Sequence, residues 1–432
     1  MTMKNTRRDF LKKTALMAAS AMPIVAGMST ITTRAFASTL TEANDFNFVF
    51  FRVQGGMDSG LGLHPWTGSF SQHAPEDLYL TYQDSEVMRN ISGTQISLGP
   101  SAHSLAPFVN NMAVVRGMYM GGNDLGHPFA IQHMSSGRAS EIAPHMTAYF
   151  GSKLSDPSRF VVTNTAIQRG TVESFPVILT QALKKMGNIN DFQTSSSLDL
   201  YQNSDLALNR YLNLLKQKDK MVKFSEILNN QKRSGGEIQD ETVALASLAA
   251  GLARVVQIDL IDQTHDLDSH SSHVSHKGYQ AMRWERIAAF LKGLTDNNLM
   301  QKTLVVVMTE FNRSPGRNFN DGTDHNYTDN AVALFGRNIN GGKVIGDHKL
   351  YTRAQNFSDS IWAGSFLNYQ TGAVADVGGV VKLQASETVN LPKDVDLIRP
   401  TDLWATVANS ISPDIVKNLA PESRQIPGLF KR

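Results

Sequence analysis

Short runs of β-branched and other apolar residues recur along the chain and predict six buried strands. Near-continuous apolar character is what strands covered on both faces require. The six runs are Asn47–Val53, Met112–Met118, Arg159–Asn164, Arg254–Leu260, Thr303–Glu310 and Asn330–Gly336. Between them lie stretches with helical patterns: Pro128–Arg138, Leu198–Asn230, Glu241–Leu252, Gly278–Leu294 and Thr401–Asn409. This alternation predicts an α/β fold, a three-layer α/β/α sandwich with a mostly parallel central sheet.

Residues 1–37 lie outside this alternation and have the pattern of an export signal. "TRRDFLKK" (Thr6–Lys13) is followed by an apolar stretch, and "AFA" (Ala35–Ala37) offers a small-residue cleavage site. The paired arginines before Phe-Leu-Lys predict a twin-arginine signal and, with it, the twin-arginine export machinery as a partner. Pro23 and Gly27 disfavour a stable membrane anchor. We therefore expect a periplasmic or secreted protein whose mature form has no membrane span.

The mature chain, residues 38–432, has a length that suits a single large α/β domain. The polar, glycine-containing segment "NNQKRSGGEIQDE" predicts a break between two lobes near residues 230–240. With 41% hydrophobic and 19% charged residues, the composition is that of an ordinary globular protein.

Charge and cysteine content exclude several classes of function. Residues 1–37 carry six basic and one acidic side chain, a net of +5, so the whole-chain charge of +2 leaves about −3 for the mature protein. No feature of this charge points to nucleic acid as a partner. The chain has no cysteine, which excludes disulfides, thiolate metal ligands and cysteine nucleophiles.

Ionisable residues follow four of the predicted strands, where ligands bind in open α/β sheets. Asp58 follows the first strand and His127 the second, and "HDLDSHSSHVSH" (His265–His276) follows the fourth. Glu310 ends the fifth strand, "TLVVVMTE", and His325 belongs to the block after it. Carboxylates mixed with imidazoles suit a divalent cation such as Zn²⁺ or Mn²⁺. The pattern therefore predicts a metal site at this edge of the sheet.

Several of these residues allow two interpretations. Asp58 could satisfy its own backbone in a β-turn, and His127 could cap a helix or face an anion at its first turn. Asp268 and His270 alternate onto one side of an extended segment and can reach one ion together. Glu310, at the end of a β-branched strand, would be a costly buried charge if it were only a core residue.

Five segments together resemble a known family: "GGMDSG", "SAHSLAPFVNNMAVVRGM", "HPFAIQHMSSG", "LDSHSSH" and, most specifically, "VVVMTEFNRSPGRNFNDGTDHN". It is a large bacterial domain-of-unknown-function family with twin-arginine-exported members, regarded as sulfatase-like relatives in the alkaline phosphatase superfamily. The resemblance runs from about Phe46 to Asn409. It implies an alkaline-phosphatase-like fold and metal-dependent hydrolysis of phosphate or sulfate esters. The substrate would be an anionic ester, derived from a sugar or a lipid.

The resemblance implies five metal ligands, and the hydrolase hypothesis adds roles for further residues. The metal ligands would be Asp58, Asp268, His270, Glu310 and His325. Zn²⁺ is the expected ion, with Mn²⁺, Mg²⁺ and Ca²⁺ as alternatives. Asp324 and His273 would hydrogen-bond to the metal ligands and orient them, and His127 and Arg313 would be catalytic. Arg313 and Arg317 would grip the anion, since guanidinium geometry matches tetrahedral oxyanions.

Two departures from the family pattern leave an alternative function open. Relatives commonly carry Ser just before the histidine that corresponds to His127, but this chain has Gly126. The nucleophile is therefore unassigned, with Ser59 or a metal-bound water as fallbacks. Leu267 stands where the family's Trp-Asp-Thr-His signature has Trp. The alternative is a non-catalytic exported metal- or ligand-binding protein derived from that fold.

Overall fold

The fold is known from a computed structural model of the 432-residue chain. It describes residues 46–66, 82–121, 126–136, 146–147, 149–150, 160–163, 218–233, 239–262, 264–352, 360–375, 391–413 and 423–431. The expected signal at residues 1–37 and residues 234–238 of the expected break near 230–240 lie outside the described residues.

Seven strands form the central sheet. They are β1 (Asn47–Val53), β2 (Met112–Val115), β3 (Phe160–Thr163), β4 (Ala253–Leu260), β5 (Thr303–Thr309), β8 (Val332–Gly336) and β9 (Lys343–Ile345). Their order is β3-β4-β1-β5-β8-β2-β9. β1 pairs in parallel with β4 and β5, and β3 with β4, whereas β8 runs antiparallel to both β5 and β2. The predicted mostly parallel sheet is confirmed.

Helices cover both faces of this sheet. The described α-helices are α1 (Gly126–Ser136), α2 (Lys218–Arg233), α3 (Asp240–Ala249), α4 (His276–Asp296) and α5 (Pro400–Ile411). Shorter 3-10 helices are Asp84–Glu86, Ile91–Gly93, Pro100–Asn111 and Met300–Lys302. None of the helices in the described ranges is long and apolar enough to cross a membrane.

The alternation of β1 side chains ties the sheet to both helical layers. Successive strand residues point to opposite faces. Phe50 packs edge-on against Trp404 of α5 at 5.1 Å, while its neighbour Phe51 packs against Phe290 of α4, also at 5.1 Å between ring centroids. All four side chains are buried in two separate apolar clusters, one on each face. The predicted three-layer α/β/α arrangement is confirmed.

Six further strands pair two by two outside the main sheet. They are β6 (Asn312–Arg313), β7 (His325–Asn326), β10 (His348–Thr352), β11 (Ser360–Gly364), β12 (Leu367–Asn368) and β13 (Val395–Asp396). The pairs are β6 with β7, β10 with β11 and β12 with β13, all antiparallel. The β6–β7 pair matters most for function, because it folds the loop after β5 back so that His325 returns to the carboxyl edge of the sheet.

Candidate metal centre

Four side chains from three separate segments converge at the carboxyl edge of the central sheet. His127 is the second residue of α1, Asp268 and His270 lie in the loop between β4 and α4, and His325 begins β7. One ligand atom from each residue lies within 4.8 Å of all the others. In the described part of the chain, no other set of histidine and acidic side chains meets this criterion. We call these four residues the donor group.

His127 enters the donor group from the start of a helix. Gly126 adopts a left-handed conformation with φ of 68° as α1 begins, and Pro128 suits a first helical turn. The His127 Nδ1 atom lies 3.0 Å from Glu310 Oε1, and its Nε2 atom lies 3.4 Å from Asp268 Oδ2. Hydrogen bonds to Asp268 and then to Glu310 raise the pKa of His127 to about 10.

Asp268 is held in its ionised form by two basic neighbours. Besides the contact with His127, its Oδ1 atom accepts a hydrogen bond of 2.9 Å from Arg313 Nη2. The hydrogen bond from His127, followed by the charge of Arg313, holds the pKa of Asp268 well below its usual range. A carboxylate that remains ionised is the form that binds a cation.

The two remaining imidazoles face each other. The Nε2 atoms of His270 and His325 are 2.8 Å apart, a separation at which they share a proton or approach a common cation. Their outer nitrogens are each held by another side chain. His270 Nδ1 lies 3.1 Å from Asp324 Oδ1, and His325 Nδ1 lies 2.9 Å from the Tyr327 hydroxyl. Metal-binding histidines have this arrangement, because a hydrogen bond on the outer nitrogen fixes the ring and its tautomer.

Glu310 lies directly behind His127 rather than in the donor group. Its Oε1 atom accepts a 2.6 Å hydrogen bond from the Gly55 amide and contacts the His127 ring. The side chain is fully buried, and its Oε2 atom has no hydrogen-bond partner among the described residues. A buried carboxylate oxygen in this state is costly unless a donor or cation meets it.

Asp58 lies outside the donor group although the family resemblance implies a ligand there. Its Oδ1 atom accepts a 2.8 Å hydrogen bond from the Gly60 amide, as in the β-turn interpretation. Its Oδ2 atom lies 3.4 Å from Nε2 of His273, and both side chains are almost completely buried. The Asp58 amide also donates a 2.8 Å hydrogen bond to Gln280 of α4.

The two arginines expected to grip an anion have other partners. Arg313 is fully buried and donates to the backbone carbonyl of Gly55 and to Asp268. Burial lowers its pKa below the usual range for arginine. Arg317 is exposed and forms an ion pair of 3.2 Å with Asp321. Arg313 therefore stabilises the site instead of facing solvent, since its five N–H groups can donate to closely spaced carbonyls and a carboxylate at once.

Neither position considered for a serine nucleophile joins the donor group. Gly126 has a positive φ that an L-residue such as Ser adopts only with strain. Ser59 is buried, and its hydroxyl accepts a 2.6 Å hydrogen bond from Asn312 and lies 3.3 Å from Asp329. Asp329 in turn contacts Nδ1 of His348 at 2.6 Å, so Ser59 is part of a separate buried polar cluster.

Sequence reasoning missed three side chains that support the donor group: Tyr327, Ser269 and Thr323. Tyr327 follows His325 by two positions, and this spacing in an extended segment could have placed both on one side. Ser269 and Thr323 are small, common loop residues with no comparable signal. Asp324, expected to support the metal ligands, contacts His270.

Comparisons with known proteins give a family match and distant structural neighbours. Residues 163–356, slightly less than half of the chain, match the model of a family described as protein of unknown function (DUF1501). This segment contains Asp268, His270, Glu310 and His325, whereas His127 precedes it. No curated protein matches the chain.

Among solved structures, the lipoteichoic acid synthase LtaP from Listeria monocytogenes is similar, with 9% identity and a TM-score of 0.33. The match covers 85% of this chain and 97% of that one. The PsFucS1 sulfatase from Pseudoalteromonas sp. has 7% identity and a TM-score of 0.33, with coverage of 72% and 66%. Ps i-CgsB in complex with k-i-k-neocarrahexaose has 10% identity and a TM-score of 0.28, with coverage of 69% and 68%.

Proposed function

We propose that this chain is a hydrolase of phosphate or sulfate esters that uses a divalent metal ion held by the donor group. The observation that carries the proposal is the convergence of three imidazoles and one carboxylate within 4.8 Å. Each of the four has a second partner that fixes its orientation: Glu310, Arg313, Asp324 and Tyr327. Such paired support is typical of metal sites and has no evident purpose in a solvated polar loop.

The chemistry of the donors favours Zn²⁺ or Mn²⁺ over the alternatives. Zn²⁺ takes histidine nitrogen and carboxylate oxygen in a tetrahedral shell, and Mn²⁺ accepts the same mixture. Ca²⁺ and Mg²⁺ prefer shells made of oxygen, which three imidazoles do not provide. Of the ions considered from the sequence, Zn²⁺ therefore suits these residues best.

The residues of the chain would prepare the site for an anionic ester. A bound divalent ion would supply positive charge that stabilises the negative charge developing on the ester oxygens. Glu310 keeps the His127 ring in place, and Arg313 keeps Asp268 ionised and oriented. The start of α1 lies at the same point, so the positive end of its helix dipole adds a favourable potential for the anion.

A metal-binding protein without catalytic activity is the second candidate. Four protein donors complete a tetrahedral shell, whereas catalytic zinc sites usually keep one position for water or substrate. Gly126, in a conformation that disfavours serine, also leaves the site without the usual nucleophile. These observations favour a protein of this fold that binds a metal without catalysing a reaction.

Turnover and metal content measured on the same protein separate the two candidates. We expect purified protein loaded with Zn²⁺ or Mn²⁺ to hydrolyse at least one of an aryl phosphate, a bis-aryl phosphodiester and an aryl sulfate. His270→Ala should abolish metal binding and turnover. His103→Ala is the control, because its ring contacts the Glu86 carbonyl instead of the donor group. Stoichiometric metal without turnover favours the binding protein, and absence of metal contradicts both proposals.

Export is a separate part of the proposal and rests on the sequence of residues 1–37. The paired arginines at Arg7 and Arg8 are the recognition element of a twin-arginine signal. We expect Arg7→Lys combined with Arg8→Lys to retain the protein inside the cell. Fractionation of cells that express either form measures this, and equal export of both would contradict the twin-arginine assignment.

A further inference from the structure

The two loops that carry Asp268, His270 and His325 are joined along their backbones. The Thr323 amide donates a 3.0 Å hydrogen bond to the Ser269 carbonyl, and the His273 amide donates one of 3.3 Å to the Asp321 carbonyl. A Cβ atom at Gly322 would lie 2.1 Å from the His270 carbonyl oxygen and 2.2 Å from that of Ser269. The loops approach so closely that only glycine fits at position 322.

A buried polar cluster joins the same loops through their side chains. His273 Nδ1 lies 3.1 Å from both Ser269 Oγ and Thr323 Oγ1, and these two hydroxyls are 2.8 Å apart. All three side chains are buried. Ser269 sits between Asp268 and His270 in sequence, so any shift of this cluster also moves two members of the donor group.

Asp58 connects this cluster to the central sheet. Its Oδ2 atom is 3.4 Å from His273 Nε2, which is within ion-pair distance, and forms no hydrogen bond to the described residues. Its other oxygen and its amide are bound to the turn after β1 and to Gln280 of α4. One carboxylate oxygen of Asp58 is thus held by the turn after β1, and the other faces His273.

We infer that Asp58 and His273 are positioning residues that anchor the two ligand loops to β1, and that Gly322 permits their close approach. The inference rests on the proposed metal centre and assigns Asp58 a role other than that of a ligand. In this arrangement Asp58 orients His273, and His273 holds Ser269 and Thr323. These contacts fix the spacing between His270 and His325 on which metal geometry depends.

The test compares two glycine substitutions. Gly322→Ala should force the loops apart and weaken Zn²⁺ binding about 10- to 100-fold, the range seen when groups behind metal ligands are changed. Gly278→Ala is the matched control, because a Cβ atom there meets nothing within 4 Å. Competition titration gives the Zn²⁺ affinity, and the visible absorption of the Co²⁺ form reports coordination geometry. The melting temperature of the metal-free protein reports folding separately.

A second variant keeps the inference testable if Gly322→Ala does not fold. Asp58→Asn preserves shape but removes the charge that faces His273, so we expect weaker Zn²⁺ binding with the Co²⁺ spectrum of a four-ligand site. A Co²⁺ spectrum showing loss of a ligand would instead identify Asp58 as a metal ligand and overturn the positioning role. Unchanged affinity in both variants would also overturn it. Wild-type protein that binds neither ion contradicts the metal centre itself, and the positioning role with it.

Discussion

At the residue scale, His127 couples the site to pH because its ring lies between the carboxylates of Glu310 and Asp268. Its pKa rises to about 10 in the folded protein, against about 6.5 for an unperturbed histidine. A raised folded-state pKa stabilises the fold fully below the unfolded value, and this stabilisation disappears as pH rises through the folded value. The metal-free protein should therefore lose stability between pH of about 6.5 and 10.

Denaturant unfolding at several pH values measures this dependence. His127→Gln should flatten the curve in that interval, since the titrating ring is gone. His103→Gln, which changes an imidazole outside the site, should leave the slope unchanged. Parallel curves for wild type and His127→Gln would show that the ring is not held as an imidazolium ion.

The formal charges around the donor group predict a preference among esters. Asp268, Glu310 and Asp324 carry three negative charges, which Arg313 and a divalent ion together balance. A site that is neutral overall has no net attraction to offset the desolvation of its substrate, and this desolvation costs more for a dianion than for a monoanion. We expect higher kcat/KM for a bis-aryl phosphodiester or an aryl sulfate than for an aryl phosphate dianion. The reverse order at pH 8 would contradict this balance.

Individual residues also show where sequence reasoning ends. Alternation in an extended segment, together with the family resemblance, selects Asp268 and His270 from a histidine-rich stretch, and both lie in the donor group. The position of Asp58 after a strand predicted that it lies at the carboxyl edge of the sheet. It did not predict where the side chain points, which depends on the contacts of Asp58 with His273 and Gln280. Arg313 lies in a polar stretch typical of exposed loops, yet it is buried because backbone carbonyls and Asp268 occupy its donors.

At the element scale, the buried side chain of Arg313 stabilises the β6–β7 pair through its hydrogen bonds. Its guanidinium donates to the carbonyls of Gly55 and Thr323 as well as to Asp268, so it ties the turn after β1 to both ligand loops. Arg313→Lys retains the charge but loses the planar fork of donors. We expect a loss of stability on the order of 2 kcal/mol and weaker metal binding.

Arg317→Lys provides the matched comparison in the same loop. Arg317 is exposed and pairs with Asp321 at the surface, where ion pairs contribute little. Urea unfolding of the two variants should separate them clearly. Equal stability would mean that the buried contacts of Arg313 are replaceable by lysine or by water.

All six predicted strands occur in the central sheet, but its seventh strand, β9, and the antiparallel direction of β8 were not predicted. Asn330–Gly336 has the same apolar character as the parallel strands β1, β4 and β5, and the structure confirms a strand there as β8 (Val332–Gly336). It runs antiparallel between β5 and β2, because the loop after β5 returns through β6 and β7 without a crossover helix. Strand direction depends on such connections, which hydrophobic patterns do not encode.

At the scale of the whole molecule, a ligand that binds only the folded state stabilises it by mass action. Removal of the metal with a chelator should therefore lower the melting temperature of wild-type protein. His325→Ala should melt near the chelated wild type and should not respond to the chelator. Differential scanning calorimetry with and without chelator measures both, and an equal response of the two proteins would place the metal elsewhere.

The donor group draws on segments that lie far apart in the chain: the start of α1, the loop after β4 and the start of β7. These segments become neighbours only after β1, β4 and β5 have paired at the centre of the sheet. A partly folded or truncated chain can offer one or two of the donors but not all four. Only fully folded molecules would therefore bind the metal ion, so bound metal would distinguish them from folding intermediates of the same sequence.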